Sequence, residues 1–210
     1  MTRIFFLLLI ALICAPAALA QDRDYSRYEF YVGYANERAN NNADRFDRNG
    51  TALCNGAPVD FRSERASYNG FMVEFNQNVT RHLGIVTSFS GTYDTTGYFD
   101  QRSGRTINAR VQRYDLMAGP RYNWRNSSPF IPYVHALFGV ARYQAKFRNG
   151  DFSCPDTSET AFAMALGGGL DIRASKHIDV RAGQVDYLPV FFSHKREDGL
   201  RFSAGVKIKP

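Results

Sequence analysis

Histidine and serine are the residues of this sequence that could carry out hydrolytic chemistry. Its four histidines are His82, His135, His177 and His194, and Ser193 stands next to the last of them. A serine nucleophile and an imidazole base are what an acyl hydrolase needs. However, adjacent residues of an extended chain point to opposite faces, and no acidic residue is clearly placed to orient the His194 ring. We therefore predict that the protein is not an enzyme, and an acyl hydrolase stays open as an alternative.

A set of charged residues shows a regular spacing. Each lies in a stretch where apolar and polar residues alternate, on the face opposite the large apolar side chains. Residues two apart on a strand share a face, so these charges would gather on one side of the strands. Because an isolated charge in a narrow, low-dielectric interior is costly, we expect acids and bases to pair there. The set consists of Glu29, Glu74, Arg113, Asp115, Arg121, Asp171, Arg173, Arg181 and Arg201.

Patterns for metal, cofactor and nucleic-acid binding are weak. Neither Cys54 nor Cys154 has a histidine or a second cysteine at the spacing of a zinc site. The run Gly167-Gly168-Gly169 lies inside a strand pattern with no helix after it, so we interpret it as room for an arginine or tyrosine from across the lumen and not as a phosphate loop. The net charge is +6, but the basic residues are scattered. We predict no cofactor, no metal and no nucleic-acid partner.

The N-terminus has the layout of a secretory signal. Arg3 precedes an apolar run, and Ala18-Leu19-Ala20 provides a small-residue cleavage site. We predict a signal peptide over residues 1–20 and one mature domain over residues 21–210. The two cysteines that remain, Cys54 and Cys154, lie in polar stretches of an exported chain. A disulfide between them is therefore favoured over two free thiols.

The mature chain has the pattern of eight strands. Beyond the signal, no apolar run approaches the length of a membrane helix, whereas a period of two recurs. The phase of this alternation changes near Gln112, which predicts a bulge or a strand that projects beyond a membrane, and it slips again near Gly183. The predicted strands cover residues 28–37, 68–79, 83–93, 106–124, 130–147, 159–173, 178–192 and 199–208.

The connections between these strands alternate between short and long. The short ones follow the second, fourth and sixth strands, so all of them lie at one end, as in outer-membrane barrels. The large apolar side chains then face lipid and the charges face a lumen, the reverse of a soluble barrel. The predicted fold class is all-β, an eight-stranded antiparallel up-and-down transmembrane β-barrel. His82 and His177 fall in its short turns, and His135 faces its lumen.

Several segments resemble the small outer-membrane β-barrel family, typified by the membrane domain of outer membrane protein A. They are Ala118 to Tyr122, Pro132 to Ala136, Arg181 to Leu188 and Leu200 to Val206. The resemblance implies an eight-stranded barrel that is inserted by the bacterial assembly machinery. For a protein of the cell outer membrane we also predict contacts with outer-membrane lipid and lipopolysaccharide, and we favour a monomer. The sequence departs from the family at Lys209-Pro210, where a terminal aromatic residue is expected.

We therefore predict a non-catalytic barrel with a side-chain-filled polar lumen and external loops that bind surface ligands. The alternatives are a narrow porin-like channel and a lipid A-modifying acyl hydrolase. The first long connection could contact lipopolysaccharide phosphates through its basic residues or could be a mixed, solvated loop. Its basic residues are Arg38, Arg45, Arg48, Arg62 and Arg65, and its acidic residues are Asp44, Asp47, Asp60 and Glu64.

Overall fold

The computed structural model describes residues 25–40, 52–54, 57–59, 65–100, 105–148, 157–192 and 196–210. The predicted signal peptide lies outside the described residues, as do Cys154, Ser193 and His194. The signal peptide and the disulfide between Cys54 and Cys154 therefore stay predictions. No helix in the described part of the chain is long and apolar enough to span a membrane.

The described residues form ten strands, eight of which close into an antiparallel barrel. Around the barrel the order is β1, β10, β9, β8, β7, β6, β5 and β4, and β1 pairs with both β10 and β4. The two short strands β2 and β3 pair only with each other, within the first long connection. The bounds are β1 Tyr28–Asn40, β2 Ala52–Cys54, β3 Ala57–Val59, β4 Arg65–Asn78, β5 Leu83–Asp100, β6 Arg105–Asn123, β7 Phe130–Arg148, β8 Thr157–Arg173, β9 Ile178–Phe191 and β10 Arg196–Ile208.

The short turns lie together, as the sequence predicted. Residues 79–82, 124–129 and 174–177 join neighbouring strands at one end, which we call the turn end. Both chain termini of the barrel lie there too, because the Lys209 amide donates to the His177 carbonyl at 2.8 Å and the Asn78 amide donates to the Arg27 carbonyl at 2.8 Å. The four remaining connections lie at the opposite end, the loop end.

Two details of the predicted strands need correction. β5 continues to Asp100 and pairs there with Arg105, whereas the sequence pattern predicted a long connection from Asp94. The bulge predicted near Gln112 is wrong, since the pairing between β5 and β6 is unbroken from Leu83 to Asp100. Val111 is only 4% exposed and faces inward, so the inner face itself becomes apolar toward the loop end. This supports the other interpretation, a strand that extends past the membrane.

The slip predicted near Gly183 is present in β9. Leu170 of β8 pairs with Gly183, but the next residue, Asp171, pairs with Arg181, so one residue of β9 is extra. The pairing with β10 shifts at the same place, between Ser203 and Gly205. This β-bulge keeps the side chains on both sides of it directed at the lumen.

The two faces of the barrel are opposite to those of a soluble protein. The large apolar side chains of the eight strands point outward, and many are 40–55% exposed, such as Val32, Leu116 and Phe138. The buried side chains of the interior include many charged and polar groups, Glu74 and Arg181 among them. Water cannot solvate an apolar outer surface of this size favourably, so the surface indicates a lipid environment.

Glycines make room for large lumen side chains. Tyr133 pairs with Gly169 across the β7–β8 ladder, and a Cβ atom on Gly169 would lie 2.7 Å from the Tyr133 hydroxyl. A Cβ atom on Gly167 would overlap the Asp186 carboxylate in the same way. The glycine run thus accommodates a tyrosine, as predicted, but on the neighbouring strand and not across the lumen.

We expect Gly169→Ala to lower the free energy of unfolding by about 1–3 kcal/mol, because the added methyl group overpacks a filled interior. Gly183→Ala is the matched control, since a Cβ atom there meets nothing within 4 Å. Urea unfolding in lipid vesicles, followed by gel mobility, measures both. Equal stability of the two variants would contradict the packing role of Gly169.

Candidate functional site

The lumen holds a cluster of charged side chains that are almost completely removed from solvent. They come from β1, β4, β6, β8, β9 and β10, and each is at most 3% exposed. Carboxylates and cations alternate through the cluster, so no large region of one sign is formed. The members are Glu29, Glu37, Glu74, Arg113, Asp115, Arg121, Asp171, Asp179, Arg181, Asp186, Arg201 and Lys207.

Arg181 lies at the centre of this cluster. Its Nη1 atom is 2.7 Å from Glu74 Oε2, and its Nε atom is 2.8 Å from Asp171 Oδ1. The guanidinium carbon lies 4.0 Å from the ring centroid of Tyr31 and 4.6 Å from that of Tyr133. Two carboxylates and two aromatic rings therefore replace the water that this cation loses on burial.

A second group of contacts lies on the side of Arg181 toward the loop end. Arg121 Nη2 donates to Glu74 at 2.7 Å and to His135 Nδ1 at 3.1 Å. With Nδ1 accepting, His135 Nε2 carries the proton and donates to Asp186 Oδ1 at 2.9 Å. Asp186 in turn accepts from Arg201 Nη2 at 2.8 Å. The hydrogen bonds hold His135 in one orientation in the interior.

Arg113 carries the cluster further toward the loop end. Its Nε atom donates to Asp115 at 2.8 Å, and its Nη1 atom contacts Glu37. The Tyr143 ring lies beneath the guanidinium, 5.0 Å from centroid to carbon. Arg201 approaches Asp115 as well, at 3.7 Å, and so links this group to the previous one.

Lys207 closes the cluster toward the turn end. Its Nζ atom lies 2.8 Å from Asp171, 3.1 Å from Asp179 and 3.2 Å from Glu29. Glu29 also accepts a hydrogen bond from Arg125, at 2.7 Å. A chain of ion pairs thus extends from one end of the membrane-facing wall toward the other.

The structure brings eight of the nine predicted lumen residues into this cluster, and Arg173 is the correction. Arg173 is exposed, because it is the last residue of β8 and lies past the mouth of the lumen at the turn end. Its cross-strand neighbour Asp179 is paired with Lys207 and Lys209 instead. The alternating pattern identifies the face of a residue but not its height along the barrel.

Sequence reasoning left out other members of the cluster. Glu37 and Lys207 continue the alternation of Glu29 and Arg201 along β1 and β10, so the signal was present. Asp179 lies two residues before Arg181 and shares its parity, so its signal was present too, whereas Asp186 was harder to assign because the β-bulge after Arg181 reverses the parity. Arg125, which contacts the cluster through Glu29, lies two residues past the end of β6 and just beyond the predicted strand.

The histidines that the structure describes make local contacts. His82 Nδ1 lies 2.9 Å from the Asn123 carbonyl, and His177 Nδ1 lies 3.1 Å from the Lys209 carbonyl, both at the turn end. His135 is enclosed in the lumen cluster. Within the described ranges, no three His, Cys, Asp or Glu side chains are grouped so that they could hold a metal ion.

We expect Arg181→Met to lower the free energy of unfolding by about 3–5 kcal/mol, because Glu74 and Asp171 would lose a partner while they stay buried. Arg173→Gln is the matched control: it also removes an arginine, but from an exposed position, and it should change stability by less than about 0.5 kcal/mol. Urea titration in lipid vesicles gives both values. A loss below about 1 kcal/mol for Arg181→Met would contradict a central role of this residue.

Comparison with known proteins agrees with this geometry. The model of the outer membrane protein beta-barrel domain family matches residues 5–209. No curated protein matches the chain. Among solved structures, Neisserial surface protein A (NspA) has a TM-score of 0.60 with 14% identity over 88% of this chain and 98% of its own.

Two further solved structures share the fold. OprG from Pseudomonas aeruginosa has a TM-score of 0.55 with 13% identity, covering 88% of this chain and 96% of its own. Ail of Yersinia pestis, in complex with the heparin analogue sucrose octasulfate, has a TM-score of 0.52 with 18% identity, covering 86% and 97%. At these identities the structures show the fold alone. The family match and the lipid-facing wall together show that the chain belongs to the outer membrane protein β-barrel domain family and lies in the cell outer membrane.

Proposed function

We propose that this protein is a non-catalytic outer-membrane barrel whose filled lumen blocks solutes and whose wall holds the loop-end connections at the cell surface, where they bind surface ligands. The proposal rests on the burial of the lumen arginines. Arg113, Arg121, Arg181 and Arg201 are each 1% exposed, although each ends in a guanidinium that water would solvate well.

Contacts of these arginines cross the lumen. Arg113 of β6 reaches Glu37 of β1, and Arg181 of β9 reaches Glu74 of β4. Each pair joins strands that are three positions apart around the eight-stranded barrel. Since the interior of an eight-stranded barrel is only about wide enough for side chains, such crossing pairs leave no room for a continuous water path. The same contacts argue against a narrow channel.

Several features support a binding role at the loop end over a catalytic one. With the turn end on the periplasmic side, the four connections of the loop end lie outside the cell. The first of them, residues 41–64, mixes acidic and basic side chains and so offers polar contacts of both signs. The complex of Ail with sucrose octasulfate indicates that this fold is compatible with a sulfated ligand. His135 is enclosed by Arg121 and Asp186, which leaves it unable to reach a substrate outside the lumen.

We expect the folded protein to produce no steady single-channel steps in planar lipid bilayers, because ion pairs occupy the lumen. Arg201→Ala combined with Ser90→Ala removes one crossing contact and should introduce brief openings. Heat-dependent gel mobility confirms that each sample is folded before it is added. Steady conductance steps from the unaltered protein would overturn the proposal and favour the narrow channel.

A further inference from the structure

A polar patch lies on the outside of the barrel at the loop end of β5, β6 and β7. It consists of Tyr93, Arg110, Tyr114 and Arg142, and we call it the rim patch. The two rings meet edge to face with centroids 6.0 Å apart, and the Arg110 guanidinium carbon lies 5.7 Å from the Tyr93 ring centroid. Arg142 is the cross-strand partner of Tyr114. The four side chains therefore form one continuous surface.

The rim patch lies at the first polar positions beyond the lipid-facing wall. One outward position closer to the turn end, β6 has Leu116 next to Tyr114 and β7 has Val140 next to Arg142. Both of these residues are exposed and apolar. Tyrosines at such a boundary mark the membrane interface. Since the loop end is external, this interface belongs to the external leaflet. The patch is thus at the height of lipid head groups.

The two arginines of the rim patch are available for a phosphate. Both are exposed, and neither is paired with a carboxylate among the residues that the structure describes. On the opposite side of the barrel, by contrast, an arginine is paired with a carboxylate: Arg196 Nε lies 2.9 Å from Asp198 Oδ1. There the Tyr187 hydroxyl and then the Arg196 guanidinium hold the pKa of Asp198 below its usual range. Arg196 is therefore neutralised by a neighbouring carboxylate, whereas Arg110 and Arg142 stay cationic among the described residues.

The two arginines are far enough apart to contact two phosphates of one ligand. Arg142 pairs with Tyr114, which lies four residues from Arg110 along β6, or about 13 Å at the rise of an extended strand. A glycerophospholipid diester carries one phosphate, whereas the disaccharide of lipid A carries a phosphate on each sugar. The guanidinium fork matches phosphate geometry, and the two tyrosine rings between the arginines offer flat faces for sugar rings.

An apolar groove on the outer wall extends from Phe89 toward the turn end, where Phe30 of β1 pairs with Ile208, the last residue of β10. It has a volume of about 410 Å³, and its lining includes Phe30, Val32, Val73, Phe75, Phe89 and Ile208. Phe89 also stacks on Tyr114 with centroids 6.4 Å apart, so the groove and the patch are continuous. Phe89 is four residues from Tyr93, about 13 Å along β5, which is within reach of an acyl chain.

We propose that the rim patch binds the bisphosphorylated head group of lipid A in the external leaflet, with one acyl chain against Phe89. This inference rests on the orientation proposed above, in which the loop end is external. The proposal does not depend on whether the lumen conducts, because the patch lies on the outer wall.

Native mass spectrometry of the detergent-solubilised full chain, loaded with bisphosphorylated lipid A, tests the proposal. We expect the unaltered protein to retain one lipid A molecule and the double variant R110Q/R142Q to retain at least fivefold less. R173Q/R196Q is the matched control, because it removes two exposed arginines that lie outside the rim patch and should retain the lipid. R110K/R142K, which keeps the charge but loses the fork, should give an intermediate value.

Three further arms identify the ligand chemistry. Dephosphorylated lipid A and phosphatidylglycerol should each be retained at least fivefold less than bisphosphorylated lipid A, and millimolar inorganic phosphate should not displace the lipid. Equal losses in the two glutamine double variants would overturn the proposal, since they would show a general charge effect. Equal retention of the dephosphorylated lipid, or displacement by inorganic phosphate, would overturn it as well.

Discussion

The burial of the Arg181 guanidinium determines which strands must meet in the barrel and in which register. A cation buried this deeply is stable only when carboxylates and rings surround it, and here Glu74, Asp171, Tyr31 and Tyr133 do so. These four residues come from four different strands, β4, β8, β1 and β7. The ion pairs therefore form together only when the barrel is closed in the correct register. A shift of any of these strands by one residue would turn its lumen-facing side chains toward lipid.

This constraint also accounts for the change of character along the barrel. Inside the membrane-facing wall the lumen is charged, but toward the loop end it becomes apolar, with Leu188, Val190 and Phe192 buried and Phe192 packed against Tyr143 at 5.5 Å. Beyond the membrane no lipid requires an apolar outer face, so an ordinary hydrophobic interior is stable there. The protein thus combines an inside-out barrel with an extension that has the core of a soluble protein.

Much of this could be predicted from the sequence, because alternation directly identifies the face of each residue. The eight barrel strands, the end that holds the short turns and the inward direction of Glu74 or Arg201 all follow from a period of two. The partners do not follow, because contacts such as Arg113 with Glu37 depend on how far the strands are staggered in the closed barrel. For the same reason Arg173 was placed in the lumen although it lies past its mouth. The change of phase near Gln112 was ambiguous because an apolar inner face gives the same pattern as a bulge.

The most direct test of the account is a double-mutant cycle between Glu74 and Arg181, measured by urea unfolding in lipid vesicles. The four proteins are the unaltered chain, Glu74→Gln, Arg181→Met and the double variant. If the crossing ion pair holds the lumen closed, the two single losses are not additive, and the coupling energy should be at least about 1.5 kcal/mol. A coupling energy within about 0.3 kcal/mol of zero would show that the two residues act independently and would contradict the account.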